Sequence, residues 1–284
     1  MSIERVSTIL KDADANGYAV AAFNIFNYEA IAWAIEVAEE ERIPIIIQFY
    51  PGLDRYIGLD TVAAITRSLA GKTSVPIGLH LDHSRTYEQA VSGIRYGFPS
   101  IMIDGSTLEF EENIRLTREV VKTAHALGVE VEAELGHVGV GAKLEDYTNP
   151  EHFTDPDLCP RFINETGADF LAISIGNAHG HYVSVPNIDF KRLEEINRRI
   201  DIPLVLHGGS NIPDDQIREA VKLGINKINI ATEYNYTFYQ TVKSLINKEP
   251  NRDFMLGCLN DAKEEVKEFL RKKVRLLNPR GYRI

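Results

Sequence analysis

The feature that most constrains the fold is an alternation, sustained from one end to the other, of short apolar runs with helix-length amphipathic stretches. Apolar runs at 18–24, 43–49, 75–81, 100–104, 129–135, 168–175, 202–207 and 225–230 read as eight strands. Between them lie helical patterns such as YEAIAWAIEVAEEE, LEFEENIRLTREVVKTAHALG and IPDDQIREAVKLG, the last two ending on the glycine expected of a helix C-terminus. Eight strand–helix units of roughly 30 residues predict an α/β fold of the (β/α)8 TIM-barrel type. A doubly wound sheet has fewer strands and an early glycine fingerprint, and no GxGxxG follows the first strand here. The 284 residues suit a single barrel domain, 1–284. The segment from about 249 to 284 predicts an additional C-terminal helix, whose DAKEEVKEFLRKKVRLL reads as basic and amphipathic with a solvated face.

Polar residues recur where strands end. Asn24 closes the first strand, Gln48 nearly closes the second, and Asp82-His83 follow the third; Asp104 and Glu134 end the fourth and fifth. His179 follows the sixth, His207 ends the seventh, and Asn229 lies near the end of the eighth. In a barrel of this type those ends form one face, where active sites are built. His83, His179 and His207 therefore read as three imidazole ligands for a catalytic zinc with an open position. His80, on the same side of the strand as Asp82, reads as a barrel-lining residue that orients a neighbour. The other histidines have weaker cases, and His125 reads as packing or surface. Asp104 and Glu134 are open to several roles: holding a second divalent or a monovalent cation, giving the first metal an alternative position, hydrogen-bonding its histidines, or forming a structural ion pair. HGGSNIP (207–213) and INIATE (228–233) follow strands seven and eight, where this fold commonly binds phosphate through backbone N–H groups. A metal, a phosphate anchor and the Asp82 carboxylate together suggest carbon-acid chemistry beside a polarised carbonyl, with Asp82 moving a proton on the oxygen of the reacting aldehyde.

Charge narrows the partners. A net charge of −10 argues against nucleic acid or an anionic membrane surface and favours a small molecule. Cys159 and Cys258 lack metal or redox spacing, the N-terminus carries no signal-peptide pattern, and no apolar run approaches membrane length, so a reduced, cytoplasmic protein is expected.

AAFN, LHLDHS, IMIDGS, VEAELG, IGNAHGHY, PLVLHGGS and INKINIATE resemble, in order, the motifs of class II zinc-dependent ketose-bisphosphate aldolases, over about Gly17 to Leu277. The resemblance implies cleavage of a fructose- or tagatose-1,6-bisphosphate-like ketose to dihydroxyacetone phosphate and an aldehyde. It implies a lyase working as a homodimer or homotetramer. It implies zinc on His83, His179 and His207, Asp82 as the proton donor, and Asp104 with Glu134 as a second cation site. It also implies a ketose-phosphate site at Gly180, Gly208, Gly209, Ser210, Asn229, Ile230, Ala231 and Thr232, with Asn24 near the reacting carbonyl. Three departures stand out. Tyr50 replaces a small hydroxyl residue, Val183 replaces a phosphate-binding lysine, and Val140 interrupts a Gly-Gly-x-Glu-Asp loop, leaving Glu145 as the candidate carbon-acid base. These keep other substrates open, such as a deoxy-ketonate phosphate or a ketose 1-phosphate. A metal-dependent hydrolase on the same barrel and a metal-binding, non-catalytic paralogue are the competing classes.

Overall fold

A computed structural model describes residues 3–249 and 254–281. Its eight parallel strands close into a barrel in sequence order: β1 Val20–Asn24, β2 Ile45–Phe49, β3 Ile77–Ser84, β4 Ser100–Ile103, β5 Glu130–Leu135, β6 Phe170–Ile173, β7 Leu204–Leu206 and β8 Ile225–Ile230. β8 pairs with β1, with Ala22 opposite Asn229, so no strand edge is left open. The expected (β/α)8 architecture is thus the observed one. Some helices start at a side-chain acceptor: Asn27 accepts the Ala30 N–H at the head of Tyr28–Glu41, and Asp189 that of Arg192 at the head of Phe190–Asn197.

The N-terminal segment, which reads in the sequence only as polar, forms a helix, Val6–Asn16. Its Val6, Ile9, Leu10 and Ala13 stand at helical spacing and are buried against the barrel-lining Val20, Ala22, Ile46, Met102, Phe170, Ala172 and Val205. This helix plugs the end of the barrel at which the strands begin. Gly78 makes room for it, since a Cβ there would stand 2.9 Å from Ile46 Cγ1 and 3.3 Å from Val6 Cγ2.

The predicted C-terminal helix is Met255–Leu277. Its basic face is not the solvated one expected: Lys267 is 3% exposed and pairs with Glu36 and Glu40, while Arg275 makes a two-pronged contact with Glu41. The acids belong to Tyr28–Glu41, so the charged stripe fastens one helix to another. Residues 250–253 and 282–284 of the expected tail lie outside the described residues. No helix among the described residues is long and apolar enough to cross a membrane, and Cys159 and Cys258 are free and buried.

Candidate metal centre and active site

β3 sets the geometry. In a regular strand neighbouring residues face opposite sides, so Asp82 and His83 would not serve one site. The pairing of β3 with β4 shifts register between Leu81 and Ser84, and His83 takes a left-handed conformation with φ +48°. The extra residue of this bulge re-aims the chain, and both side chains reach the barrel mouth. A left-handed non-glycine costs about 1–2 kcal/mol, a local strain carried by the strand in return for two functional groups at consecutive positions.

His83 Nε2 lies 3.2 Å from His179 Nε2 and 2.9 Å from His207 Nδ1. These atoms all lie within 4.8 Å of one another. Two nitrogens bound to one tetrahedral zinc at 2.0–2.1 Å stand about 3.3 Å apart, so the cluster has the dimensions of a metal centre. His83 Nδ1 faces Asp104 Oδ2 at 3.1 Å, which leaves Nε2 as the free donor atom. His83, Asp104 and Glu134 form a second group with the same spacing and share His83 with the first. Glu134 Oε1 accepts the Val138 N–H at 3.0 Å, but Oε2 is buried with no hydrogen-bond partner among the described residues. A buried carboxylate oxygen with nothing to bind suits a cation. The donor set thus fits a divalent metal, and Asp104 and Glu134 fit an alternative or second position.

The electrostatics agree. Burial alone would lower the His83 imidazolium, yet Asp82, Asp104 and Glu134 around it outweigh that and raise it to about 9. Burial depresses His179 to about 4 and holds His207 well below the ordinary imidazole range, with repulsion from His83 adding to both. Burial and the Asp104 charge raise Glu134 to about 8. Burial would raise Asp104 too, but its contacts with His83 and Ser106 win and hold it well below the usual carboxylate range. Without a metal, one proton on His83 answers the surrounding acids.

Asp82 is held by amides rather than by cations. Asn24 Nδ2 donates to its Oδ2 at 2.7 Å and Asn229 Nδ2 to its Oδ1 at 3.3 Å; Gln48 Nε2 in turn donates to Asn24 Oδ1 at 2.6 Å. The ends of β1, β2 and β8 thereby fix one carboxylate of β3. Oδ1 lies 3.9 Å from His83 Nε2.

His179 lies beyond the end of β6 and is positioned by the loop after β5. The Gly141 N–H donates to the His179 carbonyl at 2.7 Å and the His179 N–H to the Gly139 carbonyl at 2.8 Å. Asp146 Oδ2 accepts the Val140 N–H at 2.8 Å and steadies that loop. Glu145 is the candidate carbon-acid base of the sequence. Glu145 is exposed on the short helix Leu144–Thr148 and does not line the cavity, whereas its neighbour Asp146 does.

That cavity has a volume of about 760 Å³, with Asn24, Asp82, His83, Asp104 and His179 in its wall. Ala231 and Thr232 line it at the head of the helix Thr232–Lys248, where the helix N-terminus favours an anion although the Glu233 N–H is already given to Ser210 Oγ. The remaining phosphate candidates fall differently. Gly208, Gly209, Ser210, Asn229 and Ile230 are buried and do not line the cavity; Gly209 N–H is taken by the Asn229 carbonyl and Ser210 Oγ by the Glu233 N–H. Gly180 is partly exposed with φ +89° and open space where a Cβ would stand. Gly208, at φ +62°, must be glycine, because a Cβ would overlap the Ala178 carbonyl. Tyr50 stands in the cavity wall, as do His137 and His181, two histidines given weaker cases, and the cations Arg85 and Lys143. No periodic signal marks these five, because all come from irregular loops. His125, by contrast, makes a surface contact with Asp169 at 2.9 Å.

The model of the class-II fructose-bisphosphate aldolase family matches residues 4–282. The chain belongs to this family. The YdjI aldolase from Escherichia coli K12 is 37% identical, with a TM-score of 0.87 over 98% of each chain. The fructose-bisphosphate aldolase of Campylobacter jejuni, at 24% identity and a TM-score of 0.82 over 98% of this chain and 96% of that one, shares the fold. The class II aldolase described here is accordingly a lyase, from a family that is metal-dependent and acts on phosphorylated sugars.

Proposed function

We propose that this aldolase uses zinc to cleave a ketose phosphate, with fructose- and tagatose-1,6-bisphosphate as the leading substrates, to dihydroxyacetone phosphate and an aldehyde. One observation carries the reading: three imidazole nitrogens converge beside an amide-held Asp82, and Asp82, His83 and His179 stand in the wall of a large cavity. A divalent cation bound by His83, His179 and His207 would supply Lewis-acid polarisation of the ketose carbonyl. The protein's own groups do the rest. Asp82, fixed by Asn24 and Asn229, takes the proton from the hydroxyl that becomes the aldehyde oxygen and returns it in the reverse direction. The N–H groups at the start of Thr232–Lys248 receive the ketose phosphate, and Arg85 and Lys143 give the cavity two cationic groups for the anionic far end of the substrate.

The test is a panel of ketose mono- and bisphosphates assayed for released dihydroxyacetone phosphate, before and after chelator treatment and zinc return. Cleavage of at least one member, abolished by the chelator, restored by zinc and insensitive to borohydride, is the expected result. Cleavage that survives metal removal, or borohydride inactivation through a Schiff-base lysine, contradicts the proposal.

A further inference from the structure

Beneath the three histidines the barrel interior holds a second layer of charge that the proposed chemistry does not use. Glu132 of β5 and Lys227 of β8 are both fully buried, with Nζ 2.7 Å from Oε2. Glu132 Oε1 faces His207 Nε2 at 2.8 Å. His80 stands beside them, its Nε2 3.6 Å from Glu132 Oε2 and its Nδ1 2.8 Å from Ser100 Oγ. A buried ion pair is a poor way to stabilise a core, since well-packed apolar residues of similar volume often do as well or better. Its value must lie in what it orients.

A carboxylate accepts hydrogen bonds and cannot donate them, so the hydrogen of His207 belongs on Nε2. That leaves the Nδ1 lone pair pointing at the cluster, 2.9 Å from His83 Nε2. With the opposite tautomer, hydrogen would occupy the gap where a cation must sit. A neutral acid at Glu132 would give its own hydrogen to Nε2 and force that opposite tautomer; the ammonium of Lys227 opposes this by pairing with the carboxylate. We propose that Glu132, with Lys227 as its counter-charge, is a positioning residue that locks His207 in the Nε2–H tautomer and so makes Nδ1 a metal ligand. The inference rests on the metal reading of His207 given above, but its first test does not need a metal.

In metal-free wild-type protein labelled with ¹⁵N-histidine, two-bond proton–nitrogen correlation spectra report each ring's tautomer, and His207 is identified by the signals missing in His207→Asn. The Nε2–H form is expected; the Nδ1–H form overturns the proposal whether or not zinc binds. A second arm compares two charge-neutral pairs of substitutions by chelator competition for zinc. Glu132→Gln with Lys227→Met keeps an acceptor oxygen for Nε2–H and is expected to stay within about threefold of wild type. Glu132→Leu with Lys227→Met removes it and is expected to bind zinc about 10–100-fold more weakly, the usual cost of losing such a partner. Equal affinities in the two double variants overturn the proposal. If the leucine variant does not fold by circular dichroism, the tautomer measurement decides. Failure of wild type to bind zinc at all counts against the metal reading and leaves the tautomer result legible.

Discussion

A metal must displace the proton that His83 carries, so affinity for zinc should climb steeply with pH. Imidazole binds a cation only when neutral, and the acids around His83 raise its titration to about 9. With one competing proton, the metal-ready fraction grows about 50-fold between pH 7 and pH 9, equivalent to about 2.3 kcal/mol of binding free energy at 1.36 kcal/mol per tenfold change. Above pH 9 the affinity levels off. His179 and His207 add no slope in this window because burial has already left them neutral. Glu134, raised to about 8, adds a second proton only for a cation that it holds itself. The same shift fixes the sign for the metal-free protein. The folded value lies above the unfolded 6.5, so the stabilisation is fully present below pH 6.5 and is lost as pH rises through 9, up to about 3 kcal/mol. Glu134 contributes in the same direction from about 4.5 to 8. Chelator competition across pH 6.5–10 and calorimetry in two buffers of different ionisation enthalpy measure the slope and the protons released, about one per zinc at pH 7. A flat affinity profile with no proton release would refute the reasoning.

Asp82→Ala should keep zinc and lose about 10²–10⁴-fold in kcat, whereas His83→Ala should lose zinc as well as activity; metal content by atomic absorption separates them. Glu145→Gln should leave kcat within about twofold, while Asp146→Ala, by releasing the Val140 N–H, should slow cleavage; the steady-state rates of the pair decide whether the loop works through the cavity-lining acid. Arg85→Ala should raise KM severalfold for a substrate with two anionic ends and leave it unchanged for one with a single phosphate. Lys267→Met should lower the thermal midpoint by about 2–8 °C, since Glu36 and Glu40 keep partial access to water and the loss is held to about 1–2 kcal/mol.

Much of this site is legible in the sequence because barrel geometry converts position along the chain into position in space. A polar residue at the end of each strand is a polar residue on one face, so His83, Asp104, Glu134 and His207 meet as their spacing predicts. What resists reading lies where that rule lapses. Nothing in LDHS announces a bulge, and without it Asp82 and His83 would point apart. Glu145 and Asp146 differ by one position on a loop whose path is set by backbone pairing with His179. Gly208 to Ser210 look like a phosphate cradle, yet two of their polar groups already serve the Asn229 carbonyl and the Glu233 N–H.

The strand EVEAEL shows how one pattern can be visible and still half read. Glutamates at 130, 132 and 134 alternate with Val131, Ala133 and Leu135, and period two puts all three on the barrel side. Three acids in a row inside a protein are untenable unless each meets a different partner, and each does. Glu130, at the closed end, accepts the Ser7 N–H and pairs with Arg5, completing the first turn of the plugging helix as a capping residue would. Glu132, in the middle, meets Lys227 and His207. Glu134, at the mouth, keeps one oxygen free beside His83 and Asp104. The same chemical group thus anchors a fold, sets a tautomer and offers a ligand according to depth alone. Lys227 and Asn229 repeat the logic on β8, where a cation and an amide two residues apart serve the middle and upper layers. Polar residues at strand spacing inside a barrel are therefore best assigned by layer, each asked for its partner, before any is credited with catalysis.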